Sequence, residues 1–314
     1  MSIMVKRYSS CLASDWSKVL MNSRNGIFLF DRNFIEYHGN RFTDFSAVAY
    51  IDENPVALLP ASIDLDLDHV SSHAGLTFGG VVLKRELRGD VAIELINALL
   101  DSLKEWGAKT LTVKLLPQVF ACYPSAEIEY VLWRRGFSLV RRDLSSLLPL
   151  QNPLPFNATR MRAIKKARKA GLKIVTSSFV SFHALLENVL SLRHGVSPVH
   201  SLKDIELLAS RFPERIFVRG AIKDGMLLAG ALIFNFEHIW HTQYVAASDM
   251  GRSHGALDLV INSIIDEAKS QGVSHLSFGA STENDGAALN SGLIYQKESF
   301  GARSITHDFM SGVL

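Results

Sequence analysis

Residues 249–257 read Asp-Met-Gly-Arg-Ser-His-Gly-Ala-Leu, and their types and spacing suit an anion. Gly251, Arg252, Ser253, His254, Gly255 and Ala256 lie between a polar–apolar alternation, "HTQYVAA", and a helix-period run, "LDLVINSII". Glycines let a backbone approach a ligand closely. A helix start leaves N–H groups unpaired and carries a partial positive charge, which favours phosphate. The same six residues also suit a tight strand–helix connection, and their types leave both readings open. Groups able to move protons stand nearby: Glu237, His238 and His241 before the turn, Glu283 and Tyr295 after it. On an alternating strand His238 and His241 point to opposite faces, so they are not a metal pair, and no metal is expected.

The elements that must position these residues occur twice. "FSAVAYIDENPVALLPASI" and "RIFVRGAIKDGMLLAGALIF" each read as strand, turn, strand, with turns at Asp52 to Pro55 and at Lys223 to Gly225. Each is followed by another strand-like region and an amphipathic helix. Leu95, Leu99, Leu103 and Trp106 share one helix face in the first half. Leu257, Val260, Ile261, Ile264, Ile265 and Ala268 share one in the second. Gly107 and Gly272 stop these helices, and short alternating strands follow. Gly107 to Gly272 and Phe137 to Phe300 repeat at nearly one offset, about half the chain. Two copies of one α/β unit are expected.

The chain has 314 residues, enough for two ordinary domains. Its 33 basic and 31 acidic residues argue against a generally basic nucleic-acid binder. Cys11 and Cys122 form no metal or redox spacing and fit a reducing compartment. There is no apolar stretch of signal or membrane-span length, so a cytoplasmic protein without a membrane span is expected. Pro149, Pro153 and Pro155 open a linker. It leads into a basic helix carrying Arg160, Arg162, Lys165, Lys166, Arg168 and Lys169, with Lys173 beyond it. Such a run is usually a solvated helix face. It also suits a nucleotide diphosphate, CoA or tRNA. The expected divisions are 1–150, a linker at 151–175 and 176–314.

This order of elements resembles the GNAT superfamily of acyl-CoA transferases. That superfamily carries a pyrophosphate motif, Q/R-x-x-G-x-G/A, which Arg252 and Gly255 match, while Leu257 replaces the final small residue and Ala256 comes one position early. The close "LIYQKESF" resembles the superfamily's "LYEKxGF", with Tyr295 in the position of a tyrosine that protonates the departing thiolate. The first half has Leu132 at the matching position and only Gly89 before its helix. The paired arrangement, with "KLLPQVFACYPSAEIEYVL" and "SSHAGLTFGG" in the first copy, resembles the acetyltransferase branch of tandem Fem-like proteins of bacterial envelope and polysaccharide pathways. The long helical arm of the Fem enzymes is absent.

The resemblance implies an α/β (α+β) fold of two tandem GNAT-like domains, each a mixed, mostly antiparallel sheet flanked by helices. The first copy would be degenerate, structural or acceptor-binding. The second would bind acetyl-CoA or another acyl-CoA and catalyse. The reaction implied is N-acyl transfer to an amino group of a sugar nucleotide or related small-molecule precursor. The alternatives are a Fem-like transferase using aminoacyl-tRNA and a non-catalytic binding module. Backbone N–H groups of Tyr244, Val245, Ala246 and Ala247 would polarise the donor carbonyl. Glu237, His241 or Glu283 would serve as base. Acceptor contacts would come from His73, Lys114 and Tyr123 in the first copy. In the second they would come from the loop carrying Arg193, His194 and His200, where Ser201 and Asp204 read as a capping box.

Overall fold

The computed structural model describes residues 2–314, with the side chain of His194 outside that description. The chain forms two compact units. One comprises 1–143, 285–287 and 306–314, and the other 144–284 and 288–305. The first therefore includes the end of the chain, and the second includes the basic helix read as part of a linker.

In the first unit β1 (Ile3–Arg7) is followed by α1 (Ala13–Met21), β2 (Ala47–Ile51), β3 (Asn54–Leu59), β4 (His69–Ser71) and β5 (Val82–Leu83). After these come α2 (Gly89–Glu105), β6 (Thr110–Lys114) and α3 (Glu127–Arg134). Strands β1, β2, β3 and β5 pair antiparallel in that order. Strand β6 runs parallel to β4, and the last strand of the chain pairs antiparallel with its other edge. Ala92, Leu95, Ile96, Leu99, Leu100 and Leu103 of α2 are buried in the core of this unit.

The second unit begins within β7 (Ser138–Pro149) and continues through α4 (Ala158–Lys169), β8 (Lys173–Thr176), α5 (Phe179–His194) and α6 (Leu202–Arg211). Then come β9 (Ile216–Lys223), β10 (Met226–Asn235), β11 (Ile239–Ala247), α7 (Asp249–His254), α8 (Ala256–Ser270), β12 (His275–Ala280) and α9 (Ser291–Glu298). The final strand, β13 (Arg303–Val313), begins here and ends in the first unit. Strands β8 to β11 are antiparallel neighbours. β12 is parallel to β11 and antiparallel to Ser145–Pro149 of β7.

Local sequence explains why the two units share their punctuation. Asp52 and Glu53 in one hairpin, and Asp224 and Gly225 in the other, all have positive φ, as a two-residue type I′ turn requires. Gly107 and Gly272 are left-handed and end their helices alike. The following N–H groups, of Ala108 and Val273, reach back to the carbonyls of Leu103 and Ala268. Val260, Ile261, Ile264, Ile265 and Ala268 are buried on one face of α8, while Leu257 is half-buried.

Helix α7 sits tightly on the sheet. A Cβ added at Gly251 would lie 2.1 Å from the carbonyl oxygen of Leu228, a backbone atom that cannot swing aside. Gly251→Ala should therefore destabilise the protein by about 1–3 kcal/mol, the usual cost of overpacking a filled interior. Urea unfolding measures it, and an unchanged midpoint would show that α7 can shift freely on the sheet.

Candidate active site

The second unit contains an opening between its two central parallel strands. β11 and β12 pair only from Ile239 to His241 and from His275 to Ser277. Beyond this point β12 continues against β7, while β11 keeps β10 as its partner. Among the described residues the other edge of β11 after His241 has no strand partner. Gln243 is the extra residue of a β-bulge there, because Leu232 pairs with Tyr244 and Ile233 with Thr242. A bulge adds local twist and re-aims the strand.

The opening is a pocket of about 340 Å³, part of it open to solvent. Thr242 and Val245 line it from β11, Leu257 and Ile261 from α8, and Phe278 from β12. Leu293, Gln296, Lys297 and Phe300 close it from α9 and the residues after it. The lining is mostly apolar and has one charged group. The Nζ of Lys297 donates to Gly279 O at 2.8 Å, Ala280 O at 2.6 Å and Ser281 Oγ at 2.9 Å. Burial lowers its pKa to about 8. All three protons are thereby engaged, so Lys297 offers the pocket its charge while it holds the departing end of β12. Sequence reasoning did not select Lys297. The signal was its spacing: 293, 296, 297 and 300 follow the i, i+3, i+4, i+7 pattern of one helix face.

That spacing also displaces Tyr295. Its side chain is off the pocket lining, the residue is 59% exposed, and its hydroxyl accepts from Asn157 Nδ2 at 3.4 Å. The expected proton donor thus lies on another face of α9. Glu237 sits in the turn before β11, ion-paired with Arg215 at 2.5 Å. It is eight positions from Val245, roughly 25 Å along an extended strand. Glu283 accepts from Asn290 Nδ2 at 2.6 Å and is exposed. Of the expected bases, only His241 is at the opening. It is buried at the last paired rung, with Nδ1 3.0 Å from Ser277 Oγ.

The expected phosphate turn is a closed helical turn. Ser248 caps α7 by accepting from Gly251 N at 3.0 Å, and the N–H groups of Arg252 and Gly255 bond to Ser248 O and Arg252 O. Arg252 pairs with Asp249 and donates to Ala247 O, and His254 Nδ1 lies 2.8 Å from Met250 O. Gly255 is left-handed, and a Cβ there would stand 2.5 Å from the carbonyl oxygen of Ala163 in α4. Arg160 of α4 pairs with Asp258 at 2.5 Å in the first turn of α8. Gly255, Ala256 and Asp258 are buried beneath this contact. The two glycines thus serve close packing, and α4 covers the helix start that an anion would need.

The structure brings His200 to Tyr244, with His200 Nδ1 2.7 Å from the Tyr244 hydroxyl, whose pKa burial raises. Val245 lines the pocket, whereas Ala246 and Ala247 are buried. Arg193 reaches Asp249 at 2.9 Å, and the capping box of Ser201 and Asp204 is present. The His194 side chain lies outside the described residues.

In the first unit His73 is buried, with positive φ and a pKa lowered to about 4 by burial. Lys114 donates to Ala74 O at 2.7 Å and Leu76 O at 2.9 Å, fastening the loop after His73. Burial, with a smaller effect from Arg141, lowers its pKa to about 8. Tyr123 is exposed beneath the Arg85 guanidinium. Gly79 bridges to Leu115 in parallel, and beside this bridge a cavity of about 260 Å³ is lined by Asn25, Gln118, Ser125 and Glu129, among others. Gln118 Nε2 donates to Ser125 O at 3.0 Å and Glu129 Oε1 at 2.8 Å. Arg24 donates to Ser125 Oγ at 3.2 Å and pairs with Glu127 at 2.8 Å. Among the described residues of the chain, no cluster of three or more His, Cys, Asp and Glu side chains is placed to hold a metal.

The depressed pKa of Lys297 has a consequence for stability. Between about 8 and the ordinary value of 10.5 the unfolded chain binds a proton that the folded chain has lost, so this residue's contribution rises with pH. Below 8 both states are protonated and its contribution is lowest. The stability of the wild type relative to Lys297→Met should therefore increase from about pH 8 to 10 in denaturant titrations. A difference independent of pH across that window would contradict the burial of a charged Lys297.

No family model matches the chain, and no curated protein does. Solved structures match its fold along nearly its full length. FemX is 13% identical, over 100% of this chain and 98% of that one, with a TM-score of 0.70. L-PGS from Bacillus licheniformis is 11% identical, over 98% and 92%, with a TM-score of 0.64. A tandem GNAT protein from the clavulanic acid biosynthesis pathway is 12% identical, over 99% and 98%, with a TM-score of 0.52. The chain has the tandem GNAT-like, Fem-like fold, with mixed and largely antiparallel sheets.

Proposed function

We propose that the second unit transfers an acyl group to an amine in the opening between β11 and β12. The supporting observation is the free edge of β11 facing a mostly apolar pocket with a buried ammonium at its wall. In this reading the donor carbonyl lies along that edge and accepts from main-chain N–H groups among Tyr244 to Ala247. As the amine attacks, the new N–C bond forms and charge builds on the carbonyl oxygen. Fixed N–H dipoles and the nearby cation favour that charge. The bond from the acyl carbon to its carrier then breaks, the carrier leaves with the electron pair, and the amine's proton passes to His241 or to water. The first unit is read as the structural or acceptor-binding copy, because Gln118 on its cavity wall is tied to Ser125 and Glu129.

The first reading of the donor is acetyl-CoA or another acyl-CoA, with an amino sugar or its nucleotide as acceptor. A specific observation favours a second reading. The buried start of α8 offers no room for a diphosphate between Gly255 and the Ala163 carbonyl. An aminoacyl ester carried on tRNA needs no such cradle. Thiol release from acetyl-CoA with a panel of amino sugars and sugar nucleotides tests the first donor, and deacylation of aminoacyl-tRNA in the presence of the same amines tests the second. Turnover in neither assay would leave a binding module.

The position of Tyr295 gives a sharper expectation. With whichever donor supports turnover, Tyr295→Phe should keep the rate within about twofold, because the hydroxyl lies off the pocket lining. A loss of about 10²–10⁴, the range for removing a positioned acid, would place Tyr295 in the proton path and overturn this assignment.

A further inference from the structure

Helix α4 has two faces with different tasks. Arg160, Ile164 and Ala167 face the second unit, where Arg160 pairs with Asp258 and the two apolar residues join the core. The other face exposes Arg162, Lys165, Lys166, Arg168 and Lys169, and Lys173 follows at the start of β8, also exposed. Among the described residues none of these six forms an ion pair. From Leu144 to Leu186 the sequence has no Asp or Glu, so the segment is wholly cationic in a chain of net charge +2. Cations in the last turn complement the helix dipole, which accounts for Lys166, Arg168 and Lys169. It does not account for Arg162, Lys165 and Lys173.

Apolar side chains are exposed in and beside this cationic helix. Met161 is 47% exposed on α4, and Leu154 is 44% exposed just before it. Met250, on the neighbouring α7, is 48% exposed. No aromatic side chain is exposed on α4, and Phe156 is turned inward against Phe300 with ring centroids 5.4 Å apart. A surface for unpaired bases would use aromatic platforms. A basic helix with Met161 exposed in its first turn, and Leu154 and Met250 exposed near it, suits the interface of an anionic bilayer, where cations meet headgroups and short apolar chains enter the acyl boundary.

We propose that the exposed face of α4 docks the protein on an anionic membrane surface. No helix among the described residues is long and apolar enough to cross a membrane, so the association would be peripheral. The inference does not depend on the proposed acyl transfer, and it requires only the full chain.

Co-sedimentation with lipid vesicles tests it. The protein should pellet with vesicles of phosphatidylcholine and phosphatidylglycerol at about 0.1 M salt, and be released near 0.5 M as charges are screened. It should remain in solution with phosphatidylcholine alone. K165E/K166E/K169E should weaken binding by at least about tenfold, and the gentler K165Q/K166Q/K169Q by a smaller factor, with thermal unfolding unchanged. Met161→Gln, which alters no charge, should weaken vesicle binding about twofold or more. Absence of binding to the anionic vesicles would overturn the proposal, as would binding indifferent to the lysine changes. It would equally be overturned if Met161→Gln bound vesicles normally while a short RNA bound the wild type and was lost by the lysine variants. That outcome would assign the face to nucleic acid.

Discussion

The pocket of the second unit depends on the parting of two parallel strands and on the lysine that fastens the departing end of one of them. Ladder hydrogen bonds between β11 and β12 end at His241 and Ser277. Carbonyl groups beyond such an end lose the donors of the neighbouring strand and need others. Lys297 meets this need by donating to Gly279 O and Ala280 O, and it adds Ser281 Oγ. A neutral donor would satisfy fewer of these oxygens, since only an ammonium has three protons on one atom. Burial opposes the charge and lowers the pKa to about 8, so the arrangement trades desolvation for a complete set of bonds. The bulge at Gln243 twists the opposite wall. Together these features leave one strand edge open inside a mostly apolar pocket.

A second constraint is the contact of α4 with the start of α8. Gly255 has no Cβ, and the Ala163 carbonyl uses that space. Arg160 and Asp258 are both largely buried, so removing one would strand the other's charge. The pair therefore fixes the orientation of α4 more than it adds stability, and with α4 oriented its lysines necessarily face outward. One contact thus sets two properties: an α8 start packed against α4, and a cationic strip presented to solvent.

Much of the fold was legible because it is local. The helix period from Leu257 to Ala268, the positive-φ turns at Asp52–Glu53 and Asp224–Gly225, and the glycine stops at Gly107 and Gly272 all rest on residues a few positions apart. The site was less legible because its meaning comes from distant partners. Gly251 and Gly255 stood out as special positions, yet what demands them is a carbonyl of Leu228 on another strand and one of Ala163 on another helix. Tyr295 was aligned by counting back from Phe300, whereas the phase of α9 turns Lys297, Gln296 and Leu293 inward instead. Lys297 sits in the polar run Gln-Lys-Glu, where nothing local distinguishes a buried lysine from a solvated one. The end of the chain also pairs with β6 of the first unit, a long-range return that the sequence repeat does not encode.

The two units line similar openings with different side chains. In each, a parallel contact is followed by an opening covered by a helix: Gly79 with Leu115 and α3 in the first, β11 with β12 and α9 in the second. On the wall of the first opening Gln118 ties Ser125 to Glu129, and Arg24, outside that lining, ties Ser125 to Glu127. A ligand there would compete with the charge-assisted bond of Gln118 to the Glu129 carboxylate. In the second opening the polar bonds of Lys297 run to its own wall and leave the apolar interior uncrossed. The first opening therefore has a bonded polar group on its wall and the second a mostly apolar lining, and the difference lies in a few side chains.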